Sequence, residues 1–290
     1  MNTISVRVCG KINLTLDVVG KRSDGYHDVD MIMQSVDLWD EIVLGTSREG
    51  IDLNTNMEGL PCDDSNIAWR ATQLVKEGFN ISEGVDIFLK KNIPMEAGMA
   101  GGSADCAGVL LGLNILWDLG MDSDQLRSLG KSLGADVPFC LMGGTALAQG
   151  IGDKLTPIDS KKDMWLVIVK PDFGVSTQEI YGGLRLDRID RRPNNLKVIE
   201  LLRLGEIAEI GSNLVNVLEE VTIPMHPIIS HIKLELLELG AFGSLMSGSG
   251  PSVYGIFKDK SSAHRVANIL KRKYGQVFAL KTTGTGIYME

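Results

Sequence analysis

Residues 94–105, Pro94-Met95-Glu96-Ala97-Gly98-Met99-Ala100-Gly101-Gly102-Ser103-Ala104-Asp105, bring glycines and small side chains together between a strand-like run and a helical one. Glycine reaches positive φ and lets backbone N–H groups approach a ligand with no Cβ in the way. The first N–H groups of a helix are unpaired and sit at the positive end of its dipole. A loop of this composition opening a helix is therefore an anion site suited to nucleotide phosphates. Two other phosphate signatures are absent, GxxxxGK[ST] and a GxGxxG between strand and helix. Read alone, the loop is equally compatible with a flexible linker or a tight structural turn. Asp105 would repel a bare phosphate, so it must face away or act through a metal.

Phosphoryl transfer to an alcohol needs an acceptor oxygen in line with the γ-phosphate and a group to take its proton. Lys11, beside Gly10 at the head of an alternating run, shares a strand face with Asn13. Asp136 lies in Gly134-Ala135-Asp136-Val137-Pro138-Phe139. By itself Lys11 reads as a solvated charge and Asp136 as an N-cap or turn residue. If they converge, the ammonium keeps the carboxylate ionised beside the hydroxyl. Tyr26-His27 reads either as a surface aromatic or as a stacking platform for a planar base, with His27 on the base's edge. Ser247-Gly248-Ser249-Gly250-Pro251-Ser252 is either a hairpin turn or a loop closing over phosphates from the opposite domain.

The elements that must position these residues follow from periodicity. Ile12, Leu14, Leu16 and Val18 alternate with polar residues, giving a half-buried strand. Residues 29–36, 40–44 and 85–90 read as further strands. A helix over 65–78 has Ser65 as its N-cap, and others cover 103–117 and 123–133. After a polar break at 161–163 come a strand at 165–170 and helices at 194–202, 206–219 and 227–239. A strand–turn–strand around MSGSGPSVYGIF, a helix at 261–273 and a strand at 277–281 complete the chain. The fold class is α+β, with two domains, 1–160 and 161–290, and a cleft between them.

Bulk properties narrow the chemistry. At 290 residues, 44% of them hydrophobic, the chain can build two cores. A net charge of −8 argues against nucleic acid as a partner, so any anion site must be local. No run of about 18 apolar residues suggests a membrane span. The alternating N-terminus does not read as a signal peptide. Cys9, Cys62, Cys106 and Cys140 form no CxxC pair and read as reduced thiols of a cytoplasmic protein.

Together, KINLTLDVVGKRSDGYHDVD, SNIAWRA, IPMEAGMAGGSADCAG, LGADVPFCLMGGTALAQGIGD, VKPDFGVST and GSLMSGSGPSVYGIF resemble the GHMP small-molecule kinase superfamily over nearly the whole chain. GKRSDGYHDV combined with GADVPF points to a branch of non-mevalonate isoprenoid synthesis whose small-molecule acceptor carries a cytidine diphosphate. The resemblance implies an S5-like N-terminal domain and a ferredoxin-like C-terminal domain. It implies ATP as co-substrate with Mg2+, and ATP binding by Pro94 through Ala104 and by Asn66. Ser103 becomes a phosphate or magnesium ligand, Lys11 and Asp136 catalytic, and Asn13, Tyr26 and His27 acceptor-binding. Transfer would be direct, without a phosphoenzyme. Cys9-Gly10 replaces the usual Pro-Ala before the lysine, which should loosen Lys11. Met99 is an apolar exchange, and Glu96 is expected to face solvent. The rivals are a homoserine, mevalonate or sugar kinase of the same superfamily, and a non-catalytic nucleotide sensor. Monomer and dimer both remain open.

Overall fold

The computed structural model describes residues 3–289. Two long strands, β1 (Thr3–Lys21) and β2 (His27–Ser47), pair antiparallel along most of their length. Sequence alternation predicts two short strands where β2 runs unbroken. Between them the register against β1 shifts at Cys9/Lys11, and β2 changes its other neighbour: β5 (Thr145–Gly150) pairs with its first half and β4 (Gly84–Lys90) with its second. β3 (Ile51–Thr55), which alternation does not reveal, lies parallel to β4, and β6 (Lys154–Pro157) flanks β5.

Helices α1 (Ile67–Phe79), α2 (Gly101–Leu116), α3 (Ser123–Leu133) and α4 (Val137–Met142) complete this half. α2 buries Ala104, Cys106, Ala107, Val109, Leu110 and Leu113. It lies very close to the sheet: a Cβ on Gly108 would stand 2.3 Å from the Ile42 side chain. A helix apolar around most of its surface belongs in the core. The expected N-cap of α1, Ser65, gives way to Asn66, whose Oδ1 accepts the Ala68 N–H at 2.9 Å. Ser65 instead donates its hydroxyl to Asp63.

The second half is built on an antiparallel sheet of β7 (Trp165–Lys170), β9 (Gly243–Met246), β10 (Val253–Phe257) and β11 (Gln276–Lys281), in the order β11-β7-β10-β9. With α9 (Ile228–Glu238) and α10 (Lys260–Leu270) this is the ferredoxin-like arrangement. α5 (Thr177–Gly183), α6 (Asn195–Leu204), α7 (Ile207–Ser212) and α8 (Glu219–Met225) fill the long connection after β7. The single helix expected over 206–219 is broken, because Val215–Asn216 forms a short strand, β8, parallel to β1.

The chain changes sheet between Pro157 and Trp165. It does not stay on the second side. β8 and β12 (Ile287–Met289) both return to pair with β1. Tyr254 of β10 donates its hydroxyl to the Asn13 carbonyl at 2.9 Å. These cross-ties fix the two walls of the cleft against each other.

Candidate active site

Lys11 and Asn13 lie between two irregularities in the β1–β2 pairing, at Cys9/Lys11 and Asn13/Thr15. Such bulges re-aim the side chains beside them. The Lys11 ammonium donates to Asn13 Oδ1 at 2.8 Å and stands 3.7 Å from the Asp136 carboxylate. Its backbone N–H donates to the Met99 carbonyl at 3.1 Å, so the glycine loop docks directly on the strand that carries the lysine. Gly10 makes this approach possible, since a Cβ there would meet the same carbonyl at 3.3 Å. The expected loosening of Lys11 by Cys9-Gly10 therefore does not occur. Lys11 is buried, 5% exposed, with both side chain and backbone held.

Asp136 occupies the N-cap position of α4, yet its side chain makes no capping hydrogen bond. The turn-residue alternative predicts one. Burial of Val137, Pro138, Phe139 and Cys140 anchors α4 instead, leaving the carboxylate free to face Lys11.

The glycine loop enters α2 earlier than predicted, with Gly101, Gly102 and Ser103 as its first turn and Ala100 as N-cap at φ 58°. Their amide groups open the helix, as an anion site requires. Pro94 through Gly98 and Ala100 through Ser103 line one cleft of about 1430 Å³ with Lys11, Asn13, Tyr26, His27 and Asp136. Met99 and Ala104 lie behind that surface in the core. Asn66 does not reach it: its amide caps α1 and donates to the Pro61 carbonyl at 2.7 Å, so it acts behind the lining residue Pro61.

Glu96 is exposed but does not simply project into water. Its φ is 49°, and its side chain lies so close over Gly174 that a Cβ there would stand 1.7 Å from Glu96 Oε2. Asp105 is buried and lines the same cleft, with its carboxylate turned to Lys91. It accepts from the Lys91 ammonium at 2.5 Å, and Lys91 also bonds Asp40. Asp40 Oδ1 in turn accepts the N–H groups of Asn92 and Ile93, at 2.6 and 2.8 Å, fixing the entry to the loop. Burial raises the Asp105 carboxyl to about 8. Nothing in the sequence marks this triad; Lys91 simply follows Lys90 at a strand end.

The Ser247–Ser252 loop docks on the glycine loop from the opposite wall. Ser247 donates its hydroxyl to the Gly98 carbonyl at 2.9 Å. Gly98, at φ +69°, could carry no side chain, because a Cβ would stand 2.0 Å from the Ser247 carbonyl. Asn216 supports this loop by donating to the Met246 and Gly248 carbonyls at 2.9 and 2.8 Å. At the cleft mouth Tyr26 is 59% exposed, and the His27 ring lies 5.3 Å from that of Tyr181, an aromatic not singled out in the sequence. Burial and the nearby Lys21 charge lower the His27 pKa, keeping its imidazole neutral.

Among the described residues no cluster of three His, Cys, Asp or Glu side chains forms a metal cage. No helix among them is long and apolar enough to cross a membrane.

The sequence matches the models of the GHMP kinases N-terminal domain at residues 66–144 and the GHMP kinases C-terminal domain at 198–276. It is 47% identical to a 4-diphosphocytidyl-2-C-methyl-D-erythritol kinase of Alkaliphilus oremlandii, covering 99% of both chains. It is 46% identical to the protein of that name in Clostridioides difficile, over 99% of this chain and 98% of the other. A crystal structure of 4-(cytidine 5'-diphospho)-2C-methyl-D-erythritol kinase superposes with a TM-score of 0.84 at 32% identity, covering 97% of this chain and 100% of that one.

Proposed function

We infer the roles of the cleft residues from one premise: this chain belongs to the GHMP kinase family, among the 4-diphosphocytidyl-2-C-methyl-D-erythritol kinases. It is an ATP-dependent kinase that transfers the γ-phosphoryl group to the 2-hydroxyl of 4-(cytidine 5'-diphospho)-2-C-methyl-D-erythritol. A homoserine, mevalonate or sugar acceptor and a non-catalytic sensor are not favoured.

One observation supports the division of labour among residues. An uncapping Asp136 faces a buried Lys11 beside the first amides of α2. In this reading the loop over 94–104 and the α2 N-terminus hold the ATP phosphates. Lys11 polarises the acceptor hydroxyl, oriented with help from Asn13, and Asp136 takes its proton as the oxygen attacks the γ-phosphorus. The bond to the β-phosphate oxygen breaks and ADP leaves. Direct transfer needs no phosphoenzyme, and none of the four cysteines lines the cleft. Burial raises the pKa of Cys9 to about 12 and that of Cys140 well above its ordinary value, so neither is a thiolate nucleophile.

Tyr26, His27 and Tyr181 hold the cytosine. A neutral imidazole offers one donor and one acceptor to the edge of a base. Phosphoryl-transfer enzymes hold Mg2+ through one or two carboxylates, in some classes with a Ser or Thr hydroxyl, plus substrate phosphates. The Ser103 hydroxyl fits this, and the buried Asp105 Oδ1, which has no hydrogen-bond partner, belongs to the lining of the same cleft. When bound, the ion neutralises charge developing on the phosphates. We place the boundary between domains 1–160 and 161–290 at the change of sheet. Four unpaired cysteines support a reducing, cytoplasmic setting.

The test is ADP release with a panel of acceptors, with and without magnesium. Turnover with the cytidyl acceptor alone, dependent on magnesium, is expected. Turnover with homoserine or mevalonate and none with the cytidyl compound overturns the assignment.

A further inference from the structure

Four lysines line the cleft: Lys11, Lys21, Lys91 and Lys170. Lys11 is engaged with Asn13 and Asp136, and Lys91 with Asp40 and Asp105. Lys21 lies exposed at the end of β1. Lys170 differs from all three. It is the last residue of β7, only 8% exposed, and among the described residues no hydrogen bond or ion pair reaches its ammonium. Burying an ammonium without a counter-charge costs several kcal/mol. A lysine kept in that state at the wall of a substrate cleft is a site for an anion that arrives with the ligand.

The position of Lys170 indicates which anion. β7 leads through residues 171–176 into α5, which supplies Thr177, Gln178 and Tyr181 to the same wall. Thr177 and Ser249 share a hydrogen bond of 3.0 Å, and Tyr181 faces His27. This wall belongs to the second sheet and carries the aromatic side of the base site. The amide nest at the start of α2, which serves the ATP phosphates, belongs to the first. An acceptor with its base between Tyr26, His27 and Tyr181 and its hydroxyl at Lys11 and Asp136 must lay its diphosphate between those points. The protein is acidic overall, with net charge −8, so that diphosphate needs a dedicated cation.

We propose that Lys170 binds the diphosphate of the cytidyl acceptor and thereby selects a nucleoside-diphosphate conjugate over an uncharged or monoanionic alcohol. The proposal rests on the acceptor reading above. Its chemistry is a charge-assisted hydrogen bond from a desolvated ammonium, stronger than a neutral one.

Binding of CDP and of cytidine to the wild-type protein, Lys170→Met and Lys170→Arg, measured by calorimetry, tests it. Wild type is expected to bind CDP more tightly than cytidine. Lys170→Met is expected to weaken CDP by about tenfold or more while cytidine stays within about twofold, and Lys170→Arg to keep most of the CDP affinity. The KM for the cytidyl acceptor should rise in Lys170→Met while the KM for ATP stays within about twofold. Unchanged CDP affinity in Lys170→Met, equal losses for CDP and cytidine, or a KM change confined to ATP overturns the role of Lys170 alone. Wild-type protein that binds neither compound overturns the acceptor reading and this proposal with it.

Discussion

The Lys91 ammonium stands 2.5 Å from the Asp105 carboxylate, between the strand that enters the glycine loop and the helix that leaves it. Neither residue touches the Lys11–Asp136 pair. Together with Asp40 they clamp both ends of the loop, so the geometry of the glycine loop rests on a buried ionic triad.

Lys91→Met leaves two carboxylates buried without a counter-charge. Removing one partner of a buried pair costs about 3–5 kcal/mol, so a fall of roughly 10 °C in melting temperature is expected. Asp105→Asn should be milder, because burial works against the Asp105 charge and the amide keeps the shape and an acceptor oxygen of the carboxyl group. The double variant should recover part of the Lys91→Met loss, a coupling that thermal unfolding of the four proteins reads directly.

Asp136→Asn keeps the shape of the side chain and removes the proposed base. A fall in kcat of at least about 100-fold is expected, with ATP affinity within a few-fold of wild type. Equilibrium binding of ATP beside steady-state turnover checks both halves. Near-normal turnover would falsify the role given to Asp136.

Gly98→Ala places a Cβ 2.0 Å from the Ser247 carbonyl at a φ of +69°. The two glycine-rich loops can no longer interlock, so the KM for ATP should rise about tenfold or more along with a lower melting temperature. Gly102→Ala is the control: a Cβ there meets nothing closer than the Ile67 side chain at 3.7 Å. That variant should melt within about 2 °C of wild type.

The proposed base site should respond to pH through His27. Its pKa lies below the ordinary value of 6.5, because burial and Lys21 both disfavour the charged ring. Protonation replaces the ring's acceptor nitrogen with a donor. The KM for the cytidyl acceptor should therefore stay level as pH falls to about 6.5 and rise only below it. Tyr26→Ala should raise the same KM by about tenfold and leave that for ATP unchanged. Equal effects on both substrates would argue against stacking of cytosine.

Thiol labelling offers a check on the fold itself. Cys62 is exposed, whereas Cys9, Cys106 and Cys140 are buried. One thiol should react promptly in the native protein and all four after denaturation.

Much of this molecule is written in local pattern. The glycine loop opening a helix, the helix at 123–133 and the strand at 165–170 follow from turn chemistry, capping and alternation, which act over a few residues. The loop to which the proposed nucleotide site belongs is legible for that reason. Periodicity could not say whether Asp136 caps its helix or leaves it, because Asp serves both roles. Only the packing of Val137–Cys140 against the core frees the carboxylate to meet Lys11. Nor could it foresee β8 and β12 returning to β1, the break at Val215–Asn216, or the Asp40–Lys91–Asp105 clamp, all contacts between distant parts of the chain. A lysine looks the same in a sequence whether it is solvated, paired or held empty-handed at a cleft wall. Lys21, Lys91 and Lys170 are those three cases, and the tertiary structure alone tells them apart, since burial and counter-charge are properties of the folded surroundings.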